Sequence, residues 1–396
     1  MKSLSRIATA IQPSATLAVD SRAKEMRAQG LDVLNFGIGE PDFYTPEAIQ
    51  EAGIQAIREG YTKYTPAAGI SKLRSAVAMR IKQDFGVDYD AKQIVVASGA
   101  KHVLFVALQV LVNYGEEVIL PAPYWVSYYE MIHMAGGVPV VVNAPESQHF
   151  KITPEQLEQN ITEKTKAFIL NNPSNPTGMV YSRSELEALA EVCKKHDIYV
   201  ISDEIYNNLI YDDVEFTCFA AISPDAKQRT IVVNGVSKSY AMTGWRIGYA
   251  AANPEIAKTM SSYLSHSTGA PGTMCQYAAA EALSGSQETV IKMRRAFDIR
   301  RKYLVARINS IADISCLRPQ GAFYAMLNLE KLIGRTLGGK CIQNDSDFAE
   351  VFLEKSLVAV TPCVGFGMPN FVRWSYAANM EQIAEGAERL EEFLKN

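Results

Sequence analysis

The chain has 396 residues, room for two domains or for one large domain with a smaller companion. Its 48% hydrophobic and 21% charged content is that of a globular protein, and a net charge of −4 gives no basis for binding nucleic acid or an anionic membrane. The six cysteines, at 193, 218, 275, 316, 341 and 363, form no CxxC pair, which argues against a zinc ribbon or a thioredoxin-type redox site and points to free thiols in a reducing cytoplasm.

The first 19 residues lack the apolar core and small-residue cleavage site of a signal peptide. The apolar stretch 103–112, interrupted by Gln109, is about half of the roughly 20 residues that span a bilayer. A cytoplasmic protein without an anchor is therefore expected. Strand-like runs at 94–97, 118–120, 138–142, 167–170, 198–201, 231–233 and 247–251 alternate with helical patterns. Two such helices are 101–113 and 184–196; in the second, Leu186, Leu189, Ala190 and Cys193 fall on one face. Continuous apolar strands alternating with helices predict an α/β fold, its mostly parallel central sheet covered by helices on both sides. Later strands are expected at 322–327, 358–361 and 372–376, with helices at 345–355 and 380–394, forming a smaller α+β unit. The expected division is residues 1–45 as an N-terminal arm packing with the small domain, 46–295 as the large domain and 296–396 as the small domain.

Motifs fall at the ends of these strands. After the first comes Ala97-Ser98-Gly99-Ala100-Lys101-His102, where small residues at a helix N-terminus would let backbone N–H groups approach a phosphate. Trp125, in Pro123-Tyr124-Trp125, could stack on a flat ring or simply join the core. Asn171-Asn172-Pro173-Ser174-Asn175-Pro176-Thr177-Gly178 is a turn whose prolines need no further explanation. Asn175 is different, because its amide can serve a phenolate oxygen and a carboxylate together. Asp203, in Ile201-Ser202-Asp203-Glu204-Ile205-Tyr206, stands at a strand's carboxyl end, where α/β folds bind ligands; a helix N-cap is the plainer reading. Lys238, in Ser237-Lys238-Ser239-Tyr240, follows another strand and precedes Arg246 by eight residues. An amine that captures a carbonyl cofactor, with a guanidinium to neutralise a phosphate, needs that pairing. Arg373, in Val372-Arg373-Trp374, puts a charge into an apolar strand, either for a structural ion pair or for a substrate carboxylate.

Other patterns lead nowhere. Gly334-Arg335-Thr336-Leu337-Gly338-Gly339-Lys340 has P-loop spacing, but Cys341 stands where a magnesium-binding hydroxyl belongs. Gly37-Ile38-Gly39 is not followed by the rest of a dinucleotide fingerprint, which disfavours a nicotinamide oxidoreductase. The five histidines have no metal-binding spacing. No basic helix-turn-helix precedes the first strands, so a ligand-sensing transcription regulator is also disfavoured.

Taken together, the motifs resemble the fold-type I, pyridoxal-phosphate-dependent class I aminotransferases, and within them the bacterial aspartate aminotransferase subgroup. The resemblance runs nearly end to end. It adds Pro13-Ser14-Ala15-Thr16, Gly39-Glu40-Pro41-Asp42-Phe43, Lys63-Tyr64 and Val126-Ser127-Tyr128 to the motifs above. It implies that Lys238 carries pyridoxal 5′-phosphate as a Schiff base, that Asp203 pairs with the ring nitrogen, and that Tyr206 and Asn175 bond the phenolic oxygen. Arg246, Ser98, Gly99, Ala100, Lys101 and Ser237 would hold the phosphate, joined by Tyr64 from the second subunit of a homodimer with shared active sites. Trp125 would stack on the ring. Arg373, Asn175 and Gly39 would receive the substrate α-carboxylate, and Lys101 the distal carboxylate of an acidic substrate. The implied reaction passes an amino group from an amino acid, aspartate favoured, to a 2-oxo acid, 2-oxoglutarate favoured, in a ping-pong cycle. Aromatic or prephenate aminotransferases and pyridoxal-phosphate-dependent C–S lyases share these motifs. One departure stands out: many relatives have a phosphate-binding serine three residues before the lysine, where this chain has Gly235.

Overall fold

Seven strands form the central sheet, in the order Ile94–Ala97, Gly248–Ala251, Thr230–Gly235, Tyr199–Asp203, Thr165–Asn171, Glu117–Ala122 and Val138–Asn143. The computed structural model describes residues 2–13 and 15–395, so Ser14 of the Pro13-Ser14-Ala15-Thr16 motif lies outside the described residues. Strand Gly248–Ala251 runs antiparallel to both its neighbours, and the other pairings are parallel. The inner strands are buried along almost their whole length, which explains why they read as unbroken apolar runs.

Helices cover both faces. Ala100–Leu111 packs Val103, Leu104 and Ala107 against Ile201, Ile231 and Val233. On another part of the sheet, Arg183–Lys195 buries Leu186, Leu189, Ala190 and Cys193 near Phe168 and Val200. That helix starts where its sequence directs: Ser182 caps the Glu185 N–H, and the Glu185 side chain returns the bond.

A second, four-stranded antiparallel sheet lies in the C-terminal part, in the order Thr361–Pro362, Phe371–Ser375, Tyr324–Asn328 and Ser315–Cys316. Helices Asp345–Ser356 and Met380–Lys395 bury Phe348, Phe352, Leu390 and Phe393 in its core. In the N-terminal segment, Leu34 and Asn35 pair with Val358 and Ala359, and Ala23 and Met26 pack on Leu353. Two expected strands differ. The run 358–361 divides, its first half pairing with the N-terminal segment and Thr361–Pro362 with the Arg373 strand. The strand expected from 322 begins at Tyr324, because Ala322 has φ 57, outside strand geometry.

Helix Glu288–Asn309 runs through the expected boundary at 295/296. Its Arg300 grips both oxygens of Asp42 at 2.7 and 2.8 Å. The buried Arg301 meets Asp212 at 2.9 Å and the Pro319 carbonyl at 2.5 Å, so its charge is compensated. The Arg300–Asp42 fork fixes the segment that carries Gly39 to this helix.

Candidate active site

Because the inner strands are parallel, several of them end on one edge of the sheet. Asn171 and Asp203 close two of these strands; Ser98, Trp125 and Lys238 follow three others within a few residues. Here the chain encloses a cavity of about 350 Å³, lined by Lys238, Asp203, Tyr206, Asn175 and Arg373 among others.

Lys238 Nζ donates to the Gly39 carbonyl at 2.5 Å. Burial, reinforced by Arg373, pushes this amine down to about 8. Asp203 is 3% exposed. Its Oδ2 accepts from the Tyr128 hydroxyl at 2.7 Å and its Oδ1 from the Ile205 N–H at 3.2 Å. Burial pushes its carboxyl up to about 6, opposed by those two hydrogen bonds and by Lys238. A buried amine brought toward neutrality suits proton transfer near physiological pH.

Arg373 is 2% exposed. Its Nη1 donates to Asn175 Oδ1 at 2.9 Å and its Nη2 to the Gly37 carbonyl at 2.6 Å, while the buried Nε has no partner. The guanidinium stacks 4.4 Å from the centre of the Tyr324 ring, and the Tyr324 hydroxyl lies 2.9 Å from that of Tyr206. A Cβ on Gly39 would stand 2.1 Å from the Tyr324 hydroxyl, so the backbone there can approach only as glycine.

Lys101 and Arg246 add positive charge to the cavity lining. Gly99 precedes helix Ala100–Leu111 with φ 86, and a Cβ there would lie 2.3 Å from Arg246 Nη2. Arg246 donates to the Thr243 carbonyl at 2.9 Å and to the Ser98 carbonyl at 3.4 Å. Ala100, Lys101, Ser237 and Arg246 line the cavity. Ser98 lines an adjoining chamber of about 610 Å³ that shares Lys101 and Arg246 with it. Lys101 Nζ rests 5.0 Å over the Trp125 ring; partial burial and then Arg246 hold this amine below the ordinary lysine range.

The family model for aminotransferase class I and II matches residues 31–390. The chain belongs to the class I and II aminotransferases. It is 47% identical to the aspartate aminotransferase of Geobacillus stearothermophilus over 395 residues, covering 100% of this chain and 99% of that one. It is 46% identical to the aspartate/prephenate aminotransferase of Cereibacter sphaeroides over 396 residues, covering 99% of both. Its fold superposes on the Thermus thermophilus aspartate aminotransferase with maleate at a TM-score of 0.94 and 39% identity, covering 99% of this chain and 100% of that one. The enzyme moves an amino group from an amino acid to a 2-oxo acid.

The aminotransferase gathers most of the residues singled out from sequence. Lys238, Asp203, Tyr206, Asn175, Arg373, Gly39, Lys101, Ala100, Trp125, Ser237 and Arg246 all line one cavity. Gly99 and Ser98 stand behind Arg246. Tyr64 is fully exposed and does not line the cavity of its own chain. Gly235 leaves no room for the serine of many relatives: a Cβ would lie 2.8 Å from the Ile247 carbonyl and 3.1 Å from Gly248 Cα. Ser237, which does line the cavity, is the hydroxyl nearest in sequence to Lys238 on that side.

Sequence reasoning assigned no role to Tyr128, Tyr324, Asn171 or Gly37. Tyr128 carried a weak signal, lying one helical turn after Trp125. Asn171 stood within a quoted motif; its side chain donates to the Asp203 carbonyl at 3.0 Å and accepts from the Asn175 N–H at 2.8 Å. No local pattern pointed to Tyr324.

Proposed function

We propose that this aminotransferase takes its amino group from aspartate, delivers it to 2-oxoglutarate, and does so with pyridoxal 5′-phosphate held at Lys238. The observation that carries this reading is the burial of Lys238, Asp203 and Arg373 around one cavity. The residues present fit the cofactor. A buried amine, Lys238, and a buried carboxylate, Asp203, line the same cavity, and Gly99 lets backbone and Arg246 close on an anion without a side chain between them.

Bound there, the cofactor would supply a carbonyl that captures the donor's amine and a protonated ring that withdraws electrons from its Cα. Lys238 would hold it through Nζ, with Asp203 at the ring nitrogen and Tyr206 and Asn175 at the phenolic oxygen. Trp125 would cover the ring face. Ser98, Gly99, Ala100, Lys101, Ser237 and Arg246 would hold the phosphate. Arg373, with Asn175 and Gly39 beside it, would orient the donor by its α-carboxylate. Lys238 Nζ takes the proton from the donor's Cα. Its lowered affinity for protons keeps a usable fraction neutral near pH 8.

Aspartate is supported by the names of the relatives and by the maleate, a four-carbon dicarboxylate, in the Thermus structure. Lys101 is the cation placed to receive the distal carboxylate. Lys101→Ala is expected to lower kcat/KM for aspartate and glutamate about tenfold to a hundredfold, the worth of one charge-assisted hydrogen bond, and that for alanine or phenylalanine much less. A panel of donors and acceptors at saturating cofactor measures this. Equal losses across acidic and neutral donors would leave Lys101 as a support for cofactor only. The Cereibacter relative favours a second reading in which prephenate also serves as acceptor, and the same panel decides it.

The active unit in this reading is a homodimer, with Tyr64 entering the phosphate site of a second copy of the chain; its full exposure in one chain supports this. Mixing and exchanging the inactive Lys238→Ala chain with a Tyr64→Ala chain should then restore up to about a quarter of wild-type activity, because half of the dimers are mixed and each mixed dimer keeps one intact site. No recovery after demonstrated subunit exchange would count against it. The two sheets support residues 46–295 as the large domain and 1–45 with 296–396 as the small one. A cytoplasmic site of action agrees with this reading. Among the described residues, no helix is long and apolar enough to cross a membrane.

A further inference from the structure

Asp203 has an unusual environment for a carboxylate that must stay charged. Its strand lies in an apolar layer with Ile201, Val233 and Leu104, and the residue is almost wholly buried where it borders the cavity. A carboxylate so placed tends to take up a proton and become neutral. Among the described residues, two hydrogen-bond donors reach its side chain, and the Ile205 N–H is the longer of them at 3.2 Å. The short contact comes from Tyr128, at 2.7 Å.

Tyr128 is built to be that donor. It is 1% exposed and follows Ser127 in the first turn of helix Ser127–Met134. Its ring meets the edge of Trp125 at 5.3 Å and 84°, and it packs with Met131 and Ile132 in the same core. Burial and the neighbouring Asp203 hold its hydroxyl well above the ordinary tyrosine range, so the phenol keeps its proton and can only donate to the carboxylate. The other groups that face Asp203 are Lys238 from the segment after strand Thr230–Gly235 and Tyr206 from the turn after its own strand. Glu204, next in the chain, turns its carboxylate to the Ser202 hydroxyl and the Phe219 N–H instead.

We propose that Tyr128 is a positioning residue that keeps Asp203 ionised and aimed into the cavity, and so sets the pH range over which the site can hold a cationic ring. The proposal rests on the cofactor reading above. Tyr128 need not touch cofactor or substrate; it acts through Asp203. The sign follows from which state each bond favours. A donor to the carboxylate stabilises the charged form, so its removal raises the pH at which Asp203 ionises. Pairing with a ring cation requires the ionised form, so the loss must appear on the acid side and fade as pH rises.

The test is a titration of the apoprotein with pyridoxal 5′-phosphate from pH 5.5 to 9, followed by quenching of tryptophan fluorescence. The chains compared are wild type, Tyr128→Phe, and the protein carrying 3-fluorotyrosine at 128, whose phenol is a stronger donor. In wild type, affinity should fall as pH drops through a limb near 6, where Asp203 becomes protonated. In Tyr128→Phe that limb should move up by about one pH unit or more, the worth of one hydrogen bond to a charged group. Affinity at pH 7 should then drop about twofold for a shift of one unit and about tenfold for a shift of two, and at pH 9 by less than about twofold. The fluorinated protein should shift the limb the other way, and because it keeps the hydroxyl it guards against a folding defect in Tyr128→Phe. A loss that is equal at every pH, or a limb common to all three proteins, would overturn the proposal and leave Tyr128 as a packing residue. Failure of the wild-type protein to bind the cofactor at any pH would instead reject the cofactor reading itself.

Discussion

Replacing Lys238 by alanine is expected to lower kcat by about 10⁴-fold or more, the upper range for loss of a general base, with the covalent anchor lost as well. The fold should survive. Lys238 Nζ makes one protein hydrogen bond, to the Gly39 carbonyl, and removing a buried amine lifts a desolvation cost rather than adding one. Thermal melting of the apoprotein should therefore match or exceed wild type while turnover vanishes. Residual activity within about tenfold of wild type would mean that another group moves the proton.

Arg373→Ala should produce the second-largest loss, of a different kind. The guanidinium lines the cavity from a buried strand, and in the proposed reading it receives the substrate α-carboxylate. Removing one member of a buried charge pair costs about 2–5 kcal/mol, so kcat/KM should fall about 30- to 5,000-fold. The loss should be the same for aspartate and alanine, because every donor carries the α-carboxylate. That uniformity separates Arg373 from Lys101, whose loss should fall on acidic donors alone. Arg373→Lys should recover little, since one ammonium cannot reproduce the two-pronged contact now made to Asn175 and Gly37. If Arg373→Ala impairs acidic donors selectively, the roles of the two cations are exchanged.

The large sheet was legible because its inner strands are buried and read as apolar runs between helical periods. The same regularity exposed the site: in parallel strands, residues just past each strand end share one edge, so Ser98, Trp125, Asn171, Asp203 and Lys238 could be grouped before any distance was known. What escaped was long-range and side-on. Tyr128 meets Asp203 across 75 positions, and Tyr206 meets Tyr324 across 118, with no period or spacing to announce either pair. The strand at 358–361 looked continuous because nothing local says that its two halves choose different partners. Gly235 looked like a missing ligand, but the structure gives it a steric cause in the close approach of Ile247 and Gly248. Tyr64 is fully exposed, so no contact within one chain bears on the role expected of it.

The most direct measurement is borohydride reduction of the protein after addition of pyridoxal 5′-phosphate, followed by digestion and mass mapping of the modified peptide. With Lys238 as the anchor, one cofactor remnant should be fixed per chain, on the peptide containing Ser237-Lys238-Ser239, and Lys238→Ala should abolish it. Fixation on Lys101 or another lysine, or none at all under conditions that turn a known aminotransferase yellow, would contradict the assignment on which the rest of the site depends.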